Sequence, residues 1–260
     1  MRLEAAAVTH PGRMRPDNED NYCFQGSYLA EPGTAAHSNF SVFDGSRPVL
    51  MGVFDGMGGY QNGERASLIA AETAASRISA LRERGAQPTL SDICTEANAR
   101  ICAEIEQTVK GKMGTTAAML VFSGGAYTVC NIGDSPVWLL RGGCLTELSC
   151  QHTESRNYTA ITGKQPEKGR KFPLTQHLGI APDEMEIAPH FADGTVCAGD
   201  RFLLCSDGVT DMLPEAELTA LLSQPGADAN TLASAIVDAA LEAGGRDNIT
   251  AAVVCVRADD

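Results

Sequence analysis

Hydrophobic and polar positions alternate along this chain in short bursts, and longer stretches break that pattern with a helical period. The apolar runs "LEAAAVTH", "NFSVF", "PVLMGVF", "TAAMLVF", "AYTVCNI", "PVWLL", "EIAPHF", "RFLLC" and "ITAAVVCV" are bounded by Gly, Asp and Pro. Runs of that length with such borders predict strands. Helical periodicity predicts long helices over Asn62–Arg84 and Leu90–Val109. In the second, Ile93, Ala97, Ile101 and Ile105 share one face. Shorter helices are predicted at Pro214–Ser223 and Asn230–Ala243. Strands come in hairpin-like groups and helices in pairs, unlike the strict alternation of a parallel sheet. The predicted class is α+β, layered, with mainly antiparallel sheets. The polar stretch Gln151–Pro173, with Gly163, Lys164, Lys168 and Lys171, reads as an exposed excursion from the core.

Composition narrows the function. The 260 residues are 43% hydrophobic and 20% charged, an ordinary soluble balance with enough apolar material for a sizeable core. A formal charge of −13 disfavours nucleic acid and anionic membranes as partners, since both select clustered Lys and Arg. The N-terminal "MRLEAAAVTHPG" has no apolar signal core, and no run is long enough to span a bilayer. Nine scattered cysteines without a C-x-x-C pair argue against a disulfide framework or a zinc site, and for reduced thiols in the cytoplasm.

Acidic residues recur where predicted strands end. The tetrapeptide VFDG occurs twice, at Val42–Gly45 and Val53–Gly56. In the first, Asp44-Gly45 lies between two apolar runs, a hairpin signal. In the second, Asp55 closes a fully apolar run and leads into glycines, which let the backbone approach an ion or phosphate. The glycine spacing is neither that of a dinucleotide loop nor that of a Walker loop. Asp207 and Asp134 also follow apolar runs, Asp247 precedes one, and "RMRPDNEDNY" gathers Asp17, Glu19 and Asp20. Carboxylates packed together repel unless protonated or bridged by cations. Oxygen-only donors select hard ions, here Mg²⁺ or Mn²⁺. An EF-hand loop is excluded because Tyr22 stands where that loop requires glycine.

The stretches "RMRPDNEDNY", "GVFDGMGGY", "GTTAAML", "NIGDSPVWLL", "GDRFLLCSDGVTDML" and "GGRDNITAAVV" follow one another from about Thr9 to Val256. In these stretches and their order the chain resembles the bacterial form of the metal-dependent protein serine/threonine phosphatases, type 2C. The resemblance implies an αββα sandwich, with two mainly antiparallel sheets flanked by helix pairs and a metal centre at one end. It implies a single catalytic domain over residues 1–260 with a flap at about 153–173. It further implies that Asp55 bridges two Mn²⁺ or Mg²⁺ ions, that Glu19 and the Gly56 carbonyl complete one, and that Asp207 and Asp247 hold the other. Asp20 would orient water, Arg15 would grip the substrate phosphate, and Asp134 with Asp207 would bind a third, weaker ion. Met57 and Tyr60 stand where relatives place a histidine, Pro136 replaces an arginine, and Gln151 replaces an aspartate.

Two metals about 3.5–4 Å apart can hold a hydroxide that attacks phosphorus in line. Arg15 can offer two parallel hydrogen bonds to phosphoryl oxygens. The expected activity is hydrolysis of phosphoserine and phosphothreonine in proteins, reversing a bacterial serine/threonine kinase, by a cytoplasmic monomer. Two other readings exist. Cys94 to Arg100 and Cys150 to Arg156 match the C-x₅-R spacing of thiol phosphatases, although neither loop contains glycine. The fold could also serve as a catalytically weak phosphoprotein-binding module. His10, His37, His177 and His190 read as surface or packing residues, His152 as a candidate near the cleft, and Trp138 as core.

Overall fold

A computed structural model describes residues 2–34, 37–58, 62–107, 112–164 and 172–258. The N-terminal half contains β1 (Arg2–His10), β2 (Asn21–Phe24), β3 (Ser27–Tyr28), β4 (His37–Phe43), β5 (Val49–Phe54) and β6 (Gly56–Gly58), then helices α1 (Gly63–Ser76), α2 (Ala80–Arg84) and α3 (Ala86–Gln107). Next come β7 (Met113–Thr115), β8 (Ala117–Ser123), β9 (Ala126–Ile132), β10 (Val137–Arg141), β11 (Cys144–Glu147) and α4 (Ser155–Thr162). The chain continues with β12 (His190–Thr195), β13 (Arg201–Cys205), α5 (Asp207–Thr210), α6 (Glu215–Leu222), α7 (Ala229–Glu242) and β14 (Ile249–Arg257).

The strands build two six-stranded sheets, ordered β11-β10-β13-β14-β1-β4 and β12-β9-β8-β5-β2-β3, beside a small β6-β7 ribbon. Each described strand pair is antiparallel. Period-two alternation explains the layering. Val49, Met51 and Val53 of β5 face the other sheet, while Leu50 and Phe54 face helices. Ala252, Val254 and Val256 of β14 meet them in the central layer, while Ile249, Ala251, Val253 and Cys255 turn outward. The outer helices match these faces. Leu90, Ile93, Cys94, Ala97 and Ile101 of α3 pack on one sheet, and Leu232, Ala233, Ile236, Val237 and Ala240 of α7 on the other. The result is the expected αββα order. Phe122 and Tyr127 meet Phe202 edge-on at 5.1 Å across the central layer, and burying each such ring contributes roughly 1.5–3 kcal/mol.

Several expectations are corrected. The helix predicted over Asn62–Arg84 is two helices: α1 ends at Ser76 and α2 begins at Ala80. The break lets Ile78 and Leu81 both reach the sheet, while Arg77 pairs with Glu96 of α3 at 2.7 Å. The next helix starts before Leu90, at Ala86, because Pro88 falls in the first turn, where no backbone donor is needed; Val109 lies outside the described residues. The strand read from "EIAPHF" starts only at His190 and runs to Thr195, since Pro189 cannot donate to a ladder. Asp44 does make a turn, accepting from the Ser46 backbone and hydroxyl at 2.9 and 2.7 Å. It is not a hairpin, because β4 and β5 lie in different sheets. The polar excursion carries a helix, α4, above a bridge between Thr153 and Leu174; Lys168 and Lys171 lie outside the described residues. Among the described residues no helix is long and apolar enough to cross a membrane.

Candidate active site

The acidic residues collect at one end of the sandwich because strand register puts them there. His10 of β1 pairs with Ile249 of β14, and Cys205 of β13 pairs with Ala251. The loop after β1, the turn after β13 and the turn before β14 are therefore adjacent, and they carry Arg15, Glu19, Asp20, Asp207 and Asp247. In the second sheet Asn21 pairs with Phe54, and Ala117 with Ile132, which brings Asp55 and Asp134 to their sheet's matching edge.

Two close backbone approaches hold these segments together. A Cβ on Gly56 would lie 2.2 Å from the Gly63 carbonyl and 2.4 Å from the Glu19 carbonyl, so only glycine fits. A Cβ on Gly63 would in turn meet Glu19 Oε2 at 2.9 Å, so the Glu19 carboxylate lies against the Gly56–Gly63 contact. At Gly208 a Cβ would lie 1.9 Å from the Asn248 carbonyl, which brings Asp207 beside Asp247. Asp-Gly is here a packing requirement rather than a turn.

The Asp55 main chain is locked. Its carbonyl accepts from Thr116 N at 2.9 Å and Thr115 Oγ1 at 3.0 Å, and its N–H donates to Thr116 Oγ1 at 3.1 Å. Its carboxyl is pushed well above the usual aspartate range by burial, and then by the charges of Asp20, Asp207, Asp134 and Asp247. Asp20 is pushed up to about 7 by burial, against the pull of Thr250 and Ser206, with Asp207 and Asp247 adding to the rise. Glu19 is raised by burial and by Glu64, with Arg15 opposing. The Arg15 guanidinium lies 2.9 Å from Asp247 Oδ2 and also feels Glu19 and Asp55. Arg15, Glu19, Asp20, Asp55, Asp134, Asp207 and Asp247 thus lie near enough to influence one another's charge.

A family profile described as Protein phosphatase 2C matches residues 36–243. The chain belongs to the protein phosphatase 2C family. A serine/threonine protein phosphatase of Mycobacterium tuberculosis, PstP, is 30% identical over 263 residues, covering 98% of this chain; the chain spans 45% of that relative's length. The serine/threonine phosphatase stp of Listeria innocua is 28% identical over 266 residues, covering 97% of this chain and 95% of the relative. The crystal structure of the PstP catalytic domain in complex with 2 manganese ions superposes with a TM-score of 0.78 at 26% identity, covering 99% of this chain and 100% of that one.

The donor set of this chain fits hard divalent cations. It is made of oxygens alone, and its carboxylates raise one another's proton affinity, the condition a cation relieves. Asp20 Oδ1 is buried and, among the described residues, lacks a hydrogen-bond partner. Among the described residues no three His, Cys, Asp or Glu side chains converge closely enough to ligate one ion. The carboxylates act on one another at longer range, as unscreened like charges do, and Arg15 is drawn onto Asp247. A neighbouring cleft of about 430 Å³ is lined by Met57, Ile105, Met113 and His177, and by none of these carboxylates.

Supporting residues that the sequence reading missed are hydroxyls and an amide. Asp20 Oδ2 accepts from Ser206 Oγ at 2.7 Å and Thr250 Oγ1 at 2.6 Å. Asn18 Nδ2 donates to Thr9 Oγ1 at 2.9 Å, and Thr9 Oγ1 lies 2.7 Å from Thr250 Oγ1, so a relay of donors ends on Asp20. Asn248 accepts from Glu19 N at 2.8 Å and donates to the Pro11 and Asp17 carbonyls, each at 2.9 Å. One amide thereby fixes both ends of the loop that bears Arg15. The only sequence signal for it is its place beside Asp247. Asn248→Ala should weaken Mn²⁺ binding by about 10–100-fold, as loss of outer support does at metal sites. Calorimetric titration checks this, and wild-type affinity would remove Asn248 from the centre's support.

His152 does reach this end of the fold, as a buttress. Its Nδ1 accepts from Gly133 N at 3.1 Å and its N–H donates to Gly133 O at 2.9 Å, which steadies the turn before Asp134. Trp138 is partly buried on the outer face of its sheet, and its Nε1 is buried without a partner among the described residues. Cys94 is fully buried in α3, with its sulfur 3.7 Å from that of Cys130. It is therefore no accessible nucleophile. Around Cys150 the backbone is tied to the Asn131 side chain; the Arg156 side chain and Tyr60 lie outside the described residues.

Proposed function

We propose that this chain is a catalytic domain that hydrolyses phosphoserine and phosphothreonine in proteins, using Mn²⁺ or Mg²⁺. The observation that carries the reading is the convergence of Glu19, Asp20, Asp55, Asp134, Asp207 and Asp247 on one end of a phosphatase fold, with Arg15 beside them. The manganese bound by the structural relative supports the choice of ion. Asp55 would serve two ions, Glu19 and the Gly56 carbonyl one of them, and Asp207 and Asp247 the other. Asp134 with Asp207 would hold a weaker third. Bound divalent ions supply charge screening for a phosphate dianion and activate water near neutral pH.

The chain's own residues do the rest. Arg15 is half-exposed in its pair with Asp247, and an ion pair that exposed is weak enough to exchange. Its fork can instead offer two parallel hydrogen bonds to phosphoryl oxygens. Asp20, with one oxygen held by two hydroxyls and the other without a hydrogen-bond partner among the described residues, would orient the attacking water. Met57 has no proton to donate, so no side chain on β6 protonates the leaving group. The nine free cysteines support a reducing, cytoplasmic setting, and the expected partners are phosphoproteins modified by a serine/threonine kinase.

The test is phosphate release from a phosphothreonine peptide. Release should require Mn²⁺ or Mg²⁺, stop with EDTA and return when metal is restored. Activity that survives EDTA would favour a thiol mechanism. Silence with each divalent ion tried would favour the binding module.

A further inference from the structure

The edge of the centre carries arginines that the proposed chemistry does not use. Arg13 and Arg246 are both exposed. Their two turns touch: Arg13 N donates to Gly245 O at 2.7 Å, and a Cβ on Gly245 would lie 3.2 Å from Arg13 Cγ. A Cβ on Gly244 would lie 3.8 Å from Arg246 Cγ. Arg15 follows two residues after Arg13 and pairs with Asp247, the neighbour of Arg246. Between the two N-terminal arginines Met14 is 72% exposed.

Arg65, Arg77, Arg84, Arg100, Arg141 and Arg257 are all paired with carboxylates. Among the described residues Arg13 and Arg246 have no ion pair, in a chain with 33 acidic and 20 basic residues. Arg47, Arg82 and Arg201 also lack an ion pair among the described residues, and what sets Arg13 and Arg246 apart from them is their place beside Arg15 and Asp247. A surface of net charge −13 repels acidic polypeptides in general. A cationic lip at the mouth of the site offsets that repulsion locally and aligns charge there.

We infer that Arg13 and Arg246 form a recognition lip for acidic side chains flanking the phosphorylated residue of the substrate polypeptide, with Met14 as an apolar contact beside Arg13. Each guanidinium offers paired N–H donors that match a carboxylate. The inference rests on the reading of the chain as a protein phosphatase, and it names that enzyme's substrate class: phosphoserine or phosphothreonine in an acidic context.

The test compares phosphothreonine peptides with flanking Glu, Ala or Lys on the Mn²⁺-loaded chain, with p-nitrophenyl phosphate as a substrate that has no flanks. Wild type should favour the Glu peptide over the Lys peptide by about tenfold in kcat/KM at low salt, the sum of two exposed ion pairs, and the preference should shrink in 0.5 M salt. The double variant Arg13→Ala/Arg246→Ala should reduce the preference to about twofold, while p-nitrophenyl phosphate kinetics stay unchanged. Restoring charge with Arg13→Lys/Arg246→Lys should recover part of it. Equal kcat/KM for Glu and Ala peptides in wild type overturns the lip, as does a preference that survives in the alanine variant. If p-nitrophenyl phosphate itself is not hydrolysed, the phosphatase reading fails, and the lip with it; hydrolysis without flank preference sinks the lip alone.

Discussion

Asp55→Asn should lower kcat for a phosphothreonine peptide by at least about 10³-fold, the equivalent of roughly 4 kcal/mol of barrier. The substitution is nearly isosteric, and the hydrogen bonds that fix residue 55 use its main chain: Thr115 and Thr116 bond the carbonyl and N–H. The fold should therefore survive. What changes is the charge at the position that interacts with Asp20, Asp207, Asp134 and Asp247 together. An amide oxygen is a poorer ligand for a hard cation than a carboxylate, and it cannot serve two ions. Single-turnover kinetics, with circular dichroism as the folding control, decide the matter. Activity within tenfold of wild type would show that Asp55 is not the hub.

A second large effect is on stability. In metal-free protein Asp20 is pushed up to about 7, mainly by burial, and Asp55 moves in the same direction. An unfolded aspartate titrates near ~3.9. Between those values the folded chain holds a proton that the unfolded chain has released, so stability falls as pH rises. The stabilisation from protonated Asp20 is complete near and below pH ~4 and is lost as pH passes through about 7. For Asp20 alone this is on the order of 4 kcal/mol. Divalent cations bind only the folded state and should reverse the loss, by about 2.7 kcal/mol at a concentration of 100 Kd. Urea midpoints of EDTA-treated protein should thus decline from pH 5 to 8, and Mn²⁺ at pH 7.5 should restore them. A flat profile without metal would mean that these carboxylates are hydrated and independent.

The layered α+β architecture was legible because its core strands alternate cleanly and its helices carry continuous stripes. β5 and β14 read correctly since both faces are buried, whereas β2, β3, β6, β7 and β11 are two to four residues long and leave no periodic signal. Asp55, Asp134, Asp207 and Asp247 were visible because each adjoins an apolar run, and Glu19 and Asp20 because they cluster in one short polar stretch. Their hydroxyl and amide supports were not. Thr9 meets Thr250 across 241 positions and Ser206 meets Asp20 across 186, and nothing local distinguishes these from ordinary strand threonines and serines. The Asp44 turn was read correctly as chemistry and wrongly as topology, because an Asx turn does not reveal whether the strands it joins stay in one sheet.

Asn248 reaches back 229 residues to Glu19 and 237 to Pro11, and β14 lies against β1 along their full lengths. The loop that bears Arg15 therefore lacks these bonds until Asn248 and β14 are made. A ribosome paused before Asp247 would display β1 without its β14 partner and the Arg15 loop without its Asn248 tether. The position of Arg15 is thus set late in synthesis, by a residue 229 positions downstream of Glu19.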